Sequence, residues 1–263
     1  MSILGIAIAA LIVGGTGLFI GVFLGVAENK FAVETDERED AILEVLPGNN
    51  CGGCGYAGCS GLATAIVAGE AETSACPVGG TPVTVQINKI MGQETKEKVR
   101  EVAFVKCGGT SEKAKQEYEY YGTKNCTTMK FVQADGPKGC KYGCYGYGTC
   151  VDVCQFDAIN IIDGVAVVDK EQCKACKACI KACPKNIIEL VPYTQKQIVL
   201  CVSENKGKDV MAVCSAGCIG CKLCEKACEV TAIKVENNIA HIDYERCTNC
   251  GVCKEKCPKK CIG

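Results

Sequence analysis

Residues 173–184 read CKACKACIKACP, and residues 247–258 read CTNCGVCKEKCP. Both stretches follow the pattern C-x2-C-x2-C-x3-C-P, which crowds four thiols into a short segment. Such spacing directs several thiolates at one centre, whereas disulfide partners need matched Cα positions and are usually spread along a chain. The chain has 25 cysteines in 263 residues, an odd total that does not allow complete disulfide pairing. We therefore interpret the cysteines as metal ligands.

Each stretch closes a repeat. Aligned at an offset of 74 residues, QFDAINIIDGVAVVDKEQ lies over EVTAIKVENNIAHIDYER. In both segments apolar and polar residues alternate around a central pair, Asp163-Gly164 or Asn237-Asn238, which predicts a β-hairpin with a two-residue turn. A hairpin followed by this cysteine run, present twice, is typical of bacterial two-cluster ferredoxins. We therefore predict two tandem ferredoxin-like modules, each with two [4Fe–4S] clusters.

Ligation in such modules is crossed, because the fourth cysteine of each run binds the other cluster. The predicted sets of the first module are Cys140, Cys144, Cys150 with Cys183, and Cys154, Cys173, Cys176 with Cys179. Those of the second module are Cys218, Cys221, Cys224 with Cys257, and Cys228, Cys247, Cys250 with Cys253.

The two modules differ at their openings. The first is spaced x3, x5, x3, with Tyr147 where the repeat has Cys221. The same offset pairs Cys140 with Cys214, so Cys214 is an alternative to Cys221 as ligand; we favour Cys221.

A further group has the form Cys51-x2-Cys54-x4-Cys59-x16-Cys76-Pro77, with glycines between its first three cysteines. Glycines let the backbone wrap tightly and aim N–H groups at cluster sulfurs. Residues 60–71 read as a short helix that returns Cys76 to the group. Four ligands match one [4Fe–4S] cluster, and a four-cysteine zinc site is the alternative.

Five clusters leave five cysteines without a role. A sixth cluster from Cys107, Cys126, Cys201 and Cys214 is one hypothesis, and small buried thiols are the other, which we favour. Cys261 belongs to neither set. Cys107 and Cys201 both follow strand-like runs, VAFVK and QIVL.

The N-terminus carries no charge from Ile3 to Ala27. About 20 apolar residues suffice to cross a bilayer as a helix, and no cleavage site follows, so we predict a retained transmembrane helix. Gly17, Gly21 and Gly25 share one face, which favours packing against another membrane helix. We expect a single-pass protein of the cell membrane with its remainder in the reducing cytoplasm.

The predicted fold class is α+β: one N-terminal transmembrane helix, a small four-cysteine [4Fe–4S] domain and two tandem bacterial two-cluster ferredoxin-like modules. The predicted parts are a transmembrane anchor (1–27), an acidic linker (28–45), the single-cluster domain (46–80), a connecting segment (81–135), module 1 (136–195) and module 2 (196–263). Within the connecting segment we predict a helix near 92–101 and a strand over Val102–Lys106.

Charge and motifs limit the partners. The net charge of −1 gives no reason to expect nucleic acid. No nucleotide-binding glycine motif follows a strand. Lysines crowd the second halves of both modules, where they form either a basic rim that steers an acidic electron carrier or an ordinary solvated face. These lysines are Lys170, Lys174, Lys177, Lys181, Lys185, Lys254, Lys256, Lys259 and Lys260.

The order of these parts resembles that of the B subunits of Rnf complexes. The resemblance covers the whole chain and includes GNNCGGCGYAGC with Cys76-Pro77, the opening at 139–154 and the tandem modules. It implies an iron–sulfur subunit of a membrane-bound ferredoxin:NAD⁺ oxidoreductase that pumps Na⁺ or H⁺. Soluble ferredoxin would be the electron donor, and integral-membrane and flavin- or NAD-binding subunits would be partners.

Three functions are compared. In the first, the chain relays electrons from ferredoxin through its clusters, and the set beginning at Cys51 delivers them to membrane subunits. The second is a carrier subunit of another membrane oxidoreductase, and the third is a zinc-bound structural protein. Catalysis with NAD by the isolated chain is not expected, and we identify no catalytic residues.

Overall fold

The computed structural model describes residues 3–31, 36–94 and 99–263. Helix α1 spans Ile3–Phe31. Over the residues whose placement is described, no helix is both long and apolar enough to cross a membrane, and the predicted anchor is not shown.

The single-cluster domain is built from three helices: α2 (Glu37–Val45), α3 (Cys59–Val67) and α4 (Gly80–Met91). Its centre holds the fully buried side chains of Ile42, Leu62 and Ile87. Part of the predicted acidic linker therefore belongs to this domain. The Asp36 carboxylate caps α2 by accepting from the Arg38 amide at 2.9 Å, and Ile42 anchors the helix in the core.

The helix expected near 92–101 lies earlier in the chain. Helix α4 ends at Met91 because Gly92 adopts a left-handed conformation (φ 66°), and its N–H bonds to the Asn88 carbonyl. Residues 93, 94, 99 and 100 have no regular structure, and 95–98 lie outside the described residues. The next element is strand β1, Glu101–Val105.

Strand β1 joins the connecting segment to module 1. It pairs antiparallel with β4, Ile188–Pro192, in a register that places Ala103 opposite Leu190. Val102 and Val191 are fully buried between the strand pair and the module. The predicted strand at Val102–Lys106 is thereby confirmed, with its bounds shifted by one residue.

The two predicted hairpins are confirmed. Strands β2 (Ile159–Ile162) and β3 (Val165–Val168) pair in module 1, and β5 (Ile233–Glu236) and β6 (Ile239–Ile242) pair in module 2. The turn residues have positive φ, 49° at Asp163 and 75° at Gly164 in the first hairpin. Asn237 and Asn238 do the same in the second, and paired positive φ values fit the tight turn that two-residue hairpins need.

The remaining elements are short helices that carry or flank cysteines. They are α5 (Cys126–Met129), a 3-10 turn (Gln133–Asp135), α6 (Thr149–Asp152), α7 (Ala178–Ala182), α8 (Gly207–Val213), α9 (Leu223–Lys226) and α10 (Val252–Glu255). The strand-like run QIVL forms only a single bridge, from Val199 to Ile262, which returns the C-terminus to the start of module 2.

Candidate metal centres

The Cys51 group lies on a glycine-rich loop that leads into α3. The Asn50 side chain accepts from the Cys59 amide at 2.8 Å and thereby closes the loop. Cys76 is buried, which raises the pKa of its thiol, and the charges of Cys59 and Cys51 raise it further. The Gly79 amide donates to Cys76 Sγ at 3.3 Å. The predicted four cysteines are thus grouped around one end of this small domain.

The four cysteines predicted for the second centre of module 1 lie close together. Burial raises the pKa of Cys179 to about 12, and the nearby charges of Cys176, Cys173 and Cys154 act in the same direction. Strand β1 contributes as well, because the Ala103 amide donates to Cys173 Sγ at 3.3 Å. These four cysteines are brought together.

The first centre of module 1 differs from the prediction by one cysteine. In three places of the structure, four or more thiols line a cavity of about 340–410 Å³. The cavity at this centre measures 360 Å³. Its thiols are those of Cys126, Cys144, Cys150 and Cys183. Cys140 does not line it, and Cys126 takes the place that the prediction gave to Cys140.

The segment around α5 explains this exchange. The Cys126 amide donates to the Thr149 hydroxyl at 3.1 Å, directly beside Cys150. Asp135 accepts from Lys185 at 2.5 Å and from the Tyr145 hydroxyl at 2.9 Å, so the same segment is tied to the loop that carries Cys183. Because the repeat has Tyr147 in place of a cysteine, Cys126 supplies a thiol from outside it.

In module 2, one cavity of 340 Å³ is lined by five cysteines: Cys218, Cys221, Cys224, Cys257 and Cys261. Cys221 lines this cavity together with the other predicted ligands, and Cys214 does not. Cys261 Sγ lies 3.5 Å from Cys257 Sγ. Hydrogen bonding between the Cys261 and Cys257 thiols lowers the pKa of Cys257.

The other centre of module 2 repeats its counterpart in module 1. Burial raises the pKa of Cys253, and the charges of Cys247 and Cys250 raise it further. Cys228 packs against the same core, and its Sγ accepts from the Ala232 amide at 3.3 Å. In each module the fourth cysteine of the run, Cys183 or Cys257, lies beside the opening cysteines of its own module.

A further cavity, of 410 Å³, lies between the modules. Four thiols line it, those of Cys107, Cys140, Cys201 and Cys214. The hypothesis of a sixth site named three of these cysteines and Cys126. The structure places Cys126 elsewhere and Cys140 here.

The thiol-lined cavities suit a polynuclear group. Several thiols face each cavity, and backbone amides point at cysteine sulfurs, as they do around iron–sulfur clusters. Among the described residues, no three His, Cys, Asp or Glu side chains are arranged to hold a single metal ion.

Neighbouring groups follow one another through the chain. The thiol charge of Cys51 acts on Cys176, and a Cβ on Gly53 would meet the Cys176 carbonyl at 2.8 Å, so the single-cluster domain contacts module 1. Cys179 and Cys150 connect the two centres inside that module. The Cys51 group and the two groups of module 1 therefore adjoin one another in that order.

Two features were not foreseen from the sequence. Cys126 could have been suspected as a ligand, because Tyr147 leaves the repeat one thiol short. No sequence pattern distinguishes Lys138. Its ammonium is buried beside the cavity of Cys107 and Cys140, where it donates to the carbonyls of Gly109 and Gly164 at 3.0 and 2.8 Å.

Comparison with known proteins finds iron–sulfur domains in two parts of the chain. A family model for an Fe-S cluster domain matches residues 46–78, and the model of the 4Fe-4S dicluster domain matches residues 172–232 and 217–261. Iron–sulfur domains are thus present at the N-terminal group and over the C-terminal cysteines.

Similar proteins cover nearly the whole chain. The B subunit of the ion-translocating oxidoreductase complex of Methanosarcina acetivorans is 45% identical over 252 residues, which are 95% of this chain and 95% of the relative. The B subunit of the Na(+)-translocating ferredoxin:NAD(+) oxidoreductase complex of Acetobacterium woodii is 47% identical over 95% of this chain and 75% of its own length. The B subunit of the proton-translocating complex of Clostridium ljungdahlii is 39% identical over 94% of this chain and 88% of its own length. The chain belongs to the family of B subunits of ion-translocating oxidoreductase complexes.

Proposed function

We propose that the chain is the iron–sulfur subunit that takes electrons from reduced ferredoxin and relays them to membrane partners in an ion-pumping ferredoxin:NAD⁺ oxidoreductase. The row of thiol groups, from the Cys51 group through both modules, is the observation that carries this proposal. The names of the relatives from Acetobacterium woodii and Clostridium ljungdahlii describe that reaction. They differ in the ion, so the proposal covers Na⁺ or H⁺.

The ligand sets follow from the groupings of the thiols. We assign Cys51, Cys54, Cys59 and Cys76 to the first cluster. In module 1 the sets are Cys154, Cys173, Cys176 with Cys179, and Cys126, Cys144, Cys150 with Cys183. In module 2 they are Cys218, Cys221, Cys224 with Cys257, and Cys228, Cys247, Cys250 with Cys253. When bound, [4Fe–4S] clusters accept and release single electrons.

The protein residues set the conditions for that chemistry. Burial of Cys150, Cys179, Cys224 and Cys253 keeps water away from the sulfurs. Amides such as those of Ala103 and Ala232 donate to thiolate sulfurs, which stabilises negative charge on the reduced centre. Chain contacts hold the Cys51 group against module 1 and the two modules against each other.

Helix α1 is proposed as the membrane anchor. The large apolar side chains between Leu11 and Val26 are 54–76% exposed, so the rest of the chain does not cover them. Gly17, Gly21 and Gly25 have open space where a Cβ would stand, which suits close approach of a partner helix. Deletion of residues 1–31 should move the chain from the membrane fraction to the soluble fraction.

The position of the lysines favours module 2 as the entry for electrons. Lys174 and Lys177 line a cleft between module 1 and the single-cluster domain. A docking protein would contact the single-cluster domain before it reached these two lysines. Lys254, Lys256 and Lys260 are exposed next to the last cysteine run. We propose that ferredoxin docks there, and that electrons leave through the Cys51 group next to the anchor.

A kinetic experiment tests this function. The full-length chain, isolated without oxygen and with its clusters, is mixed with reduced ferredoxin at low ionic strength. The double variant Lys254→Glu/Lys256→Glu should be reduced several-fold more slowly, and added salt should diminish the difference, because rim charges act mainly on association. The matched control Lys89→Glu/Lys124→Glu makes the same charge change at exposed sites outside module 2. No reduction of the wild-type chain by ferredoxin would refute the function.

A further inference from the structure

We propose that Cys107, Cys140, Cys201 and Cys214 hold a sixth [4Fe–4S] cluster that connects the two ferredoxin-like modules. The inference rests on the proposed electron-transfer function for its purpose, although the site itself is argued from geometry and charge. Neither dicluster match reaches Cys107 or Cys140.

The cavity has the properties of the ferredoxin centres. Its volume is 410 Å³, against 360 and 340 Å³ for the cavities at the opening cysteines of modules 1 and 2. Apart from the thiols, its lining includes apolar side chains such as Leu200 and Val210. A Cβ on Gly109 would lie 3.6 Å from both Cys107 Sγ and Cys214 Sγ, so these two sulfurs face the same small space.

The scaffold around this cavity is nearly symmetric between the modules. The Cys144 amide donates to Cys107 Sγ at 3.4 Å, and the Cys218 amide faces the Cys201 thiol. Cys144 and Cys218 are equivalent at the 74-residue offset, as are Cys140 and Cys214. Each module therefore contributes one pair of thiols, held in the same way against its first ferredoxin centre.

Backbone contacts lock the two halves together. The Gly108 amide donates to the Leu200 carbonyl at 2.8 Å, and the Ser215 amide donates to the Lys113 carbonyl at 2.8 Å. Ala114 also forms an isolated bridge with Cys214. The four thiols come from four separate segments of the chain, and these contacts hold the segments around one cavity. Isolated buried thiols would not need that convergence.

A buried cation balances the charge that such a site would carry. Lys138 is 7% exposed, lines the cavity, and donates to the carbonyls of Gly109 and Gly164. In the described parts of the chain it forms no ion pair with a carboxylate. A buried ammonium without an anionic partner is costly, and a cluster bound by four thiolates is an anion in the right place.

The position gives the site a purpose. Cys107 adjoins the Cys144 centre on one side, and Cys201 adjoins the Cys218 centre on the other. With the site filled, single electrons can pass between modules, and no proton or other atom is transferred.

Metal analysis of the full-length chain tests the site. After anaerobic isolation we expect about 24 irons and about 24 sulfides per chain, because six clusters contain four of each. The double variant Cys107→Ala/Cys214→Ala should retain about 20 of each. The control Glu44→Ala/Lys89→Ala truncates two exposed side chains of the single-cluster domain, and it should retain about 24.

The outcomes separate the site from the function. A wild-type chain that is fully loaded with iron and sulfide and contains about 20 irons overturns the proposal of a sixth cluster, whatever the variants do. The five-cluster carrier would then remain intact. A count of about 24 with no reduction by ferredoxin supports the site and refutes the proposed function. If the double variant loses further clusters, the wild-type count still decides.

Freeze-quench electron paramagnetic resonance provides a second readout. After brief mixing with reduced ferredoxin, the double variant should hold electrons in one module, whereas the wild-type chain fills both. Equal filling of both modules in a variant that has lost one cluster would overturn the connecting role.

Discussion

Replacing Lys138 by methionine should make the connecting centre harder to reduce. Methionine has a similar length and keeps the cavity wall apolar, but it removes the buried positive charge. Reduction adds a negative charge to the cluster, and the ammonium favours that added charge. The Lys138→Met substitution should therefore lower the reduction potential of this centre.

The structure allows a rough magnitude. Lys138 Nζ lies 3.0 Å from the Gly109 carbonyl, and Gly109 borders the sulfurs of Cys107 and Cys214. At a separation of about 8 Å and an effective dielectric constant of about 20, two unit charges interact by about 2 kcal/mol. For a one-electron couple this corresponds to about 90 mV. The substitution also leaves two buried carbonyls without their donor, which should cost about 1–3 kcal/mol of folding free energy.

Redox titration followed by electron paramagnetic resonance measures the shift. Lys138→Arg keeps the charge and should retain most of the potential. Lys89→Met removes an exposed charge from the single-cluster domain and should leave this centre unchanged. A Lys138→Met chain with full iron content and an unshifted or raised potential would refute the electrostatic reasoning.

Three further substitutions give separate outcomes. Ile42→Ala should reduce the unfolding free energy of the single-cluster domain by about 3 kcal/mol, measured by denaturant titration, because the side chain is fully buried. Gly53→Val should slow reduction of the Cys51 group without loss of iron, because its Cβ would lie 2.8 Å from a carbonyl of module 1; Gly61→Ala, at an open helical site, is the control. Cys261→Ala removes a thiol 3.5 Å from Cys257 Sγ and should lower the potential of that centre at constant iron content; an unchanged potential would show that the thiol does not donate there.

The parts predicted most directly from the sequence are those governed by local spacing. The hairpins follow from alternation around Asp163-Gly164 and Asn237-Asn238, and their positive φ values are those that tight turns require. The C-x2-C-x2-C spacing places three thiols around one centre, because a short loop and the helix turn after it have little freedom. Cys176 and Cys179 therefore lie where the pattern puts them.

The parts that the sequence left open depend on distant contacts. Thr149 and the Asp135–Lys185 pair place Cys126 beside Cys150 and Cys183. Neither contact produces a periodic pattern in the sequence. The predicted helix near 92–101 was placed too late in the chain, because the residues after Gly92 favour a helix. Gly92 instead ends α4 as its C-cap. Cys140 matches the spacing of a module ligand, but its backbone turns toward Cys214.

The exchange of Cys126 and Cys140 has one physical explanation for both modules. In module 2, Cys221 lies with Cys218, Cys224 and Cys257, and Cys214 faces the space between the modules. In module 1, Tyr147 stands at the equivalent of Cys221, and without another thiol Cys140 would be drawn into the centre. The inserted segment with Cys126 supplies that thiol and leaves Cys140 opposite Cys214. The equivalent cysteine of each module is thus kept for the connection, as expected if electrons must cross from one module to the other.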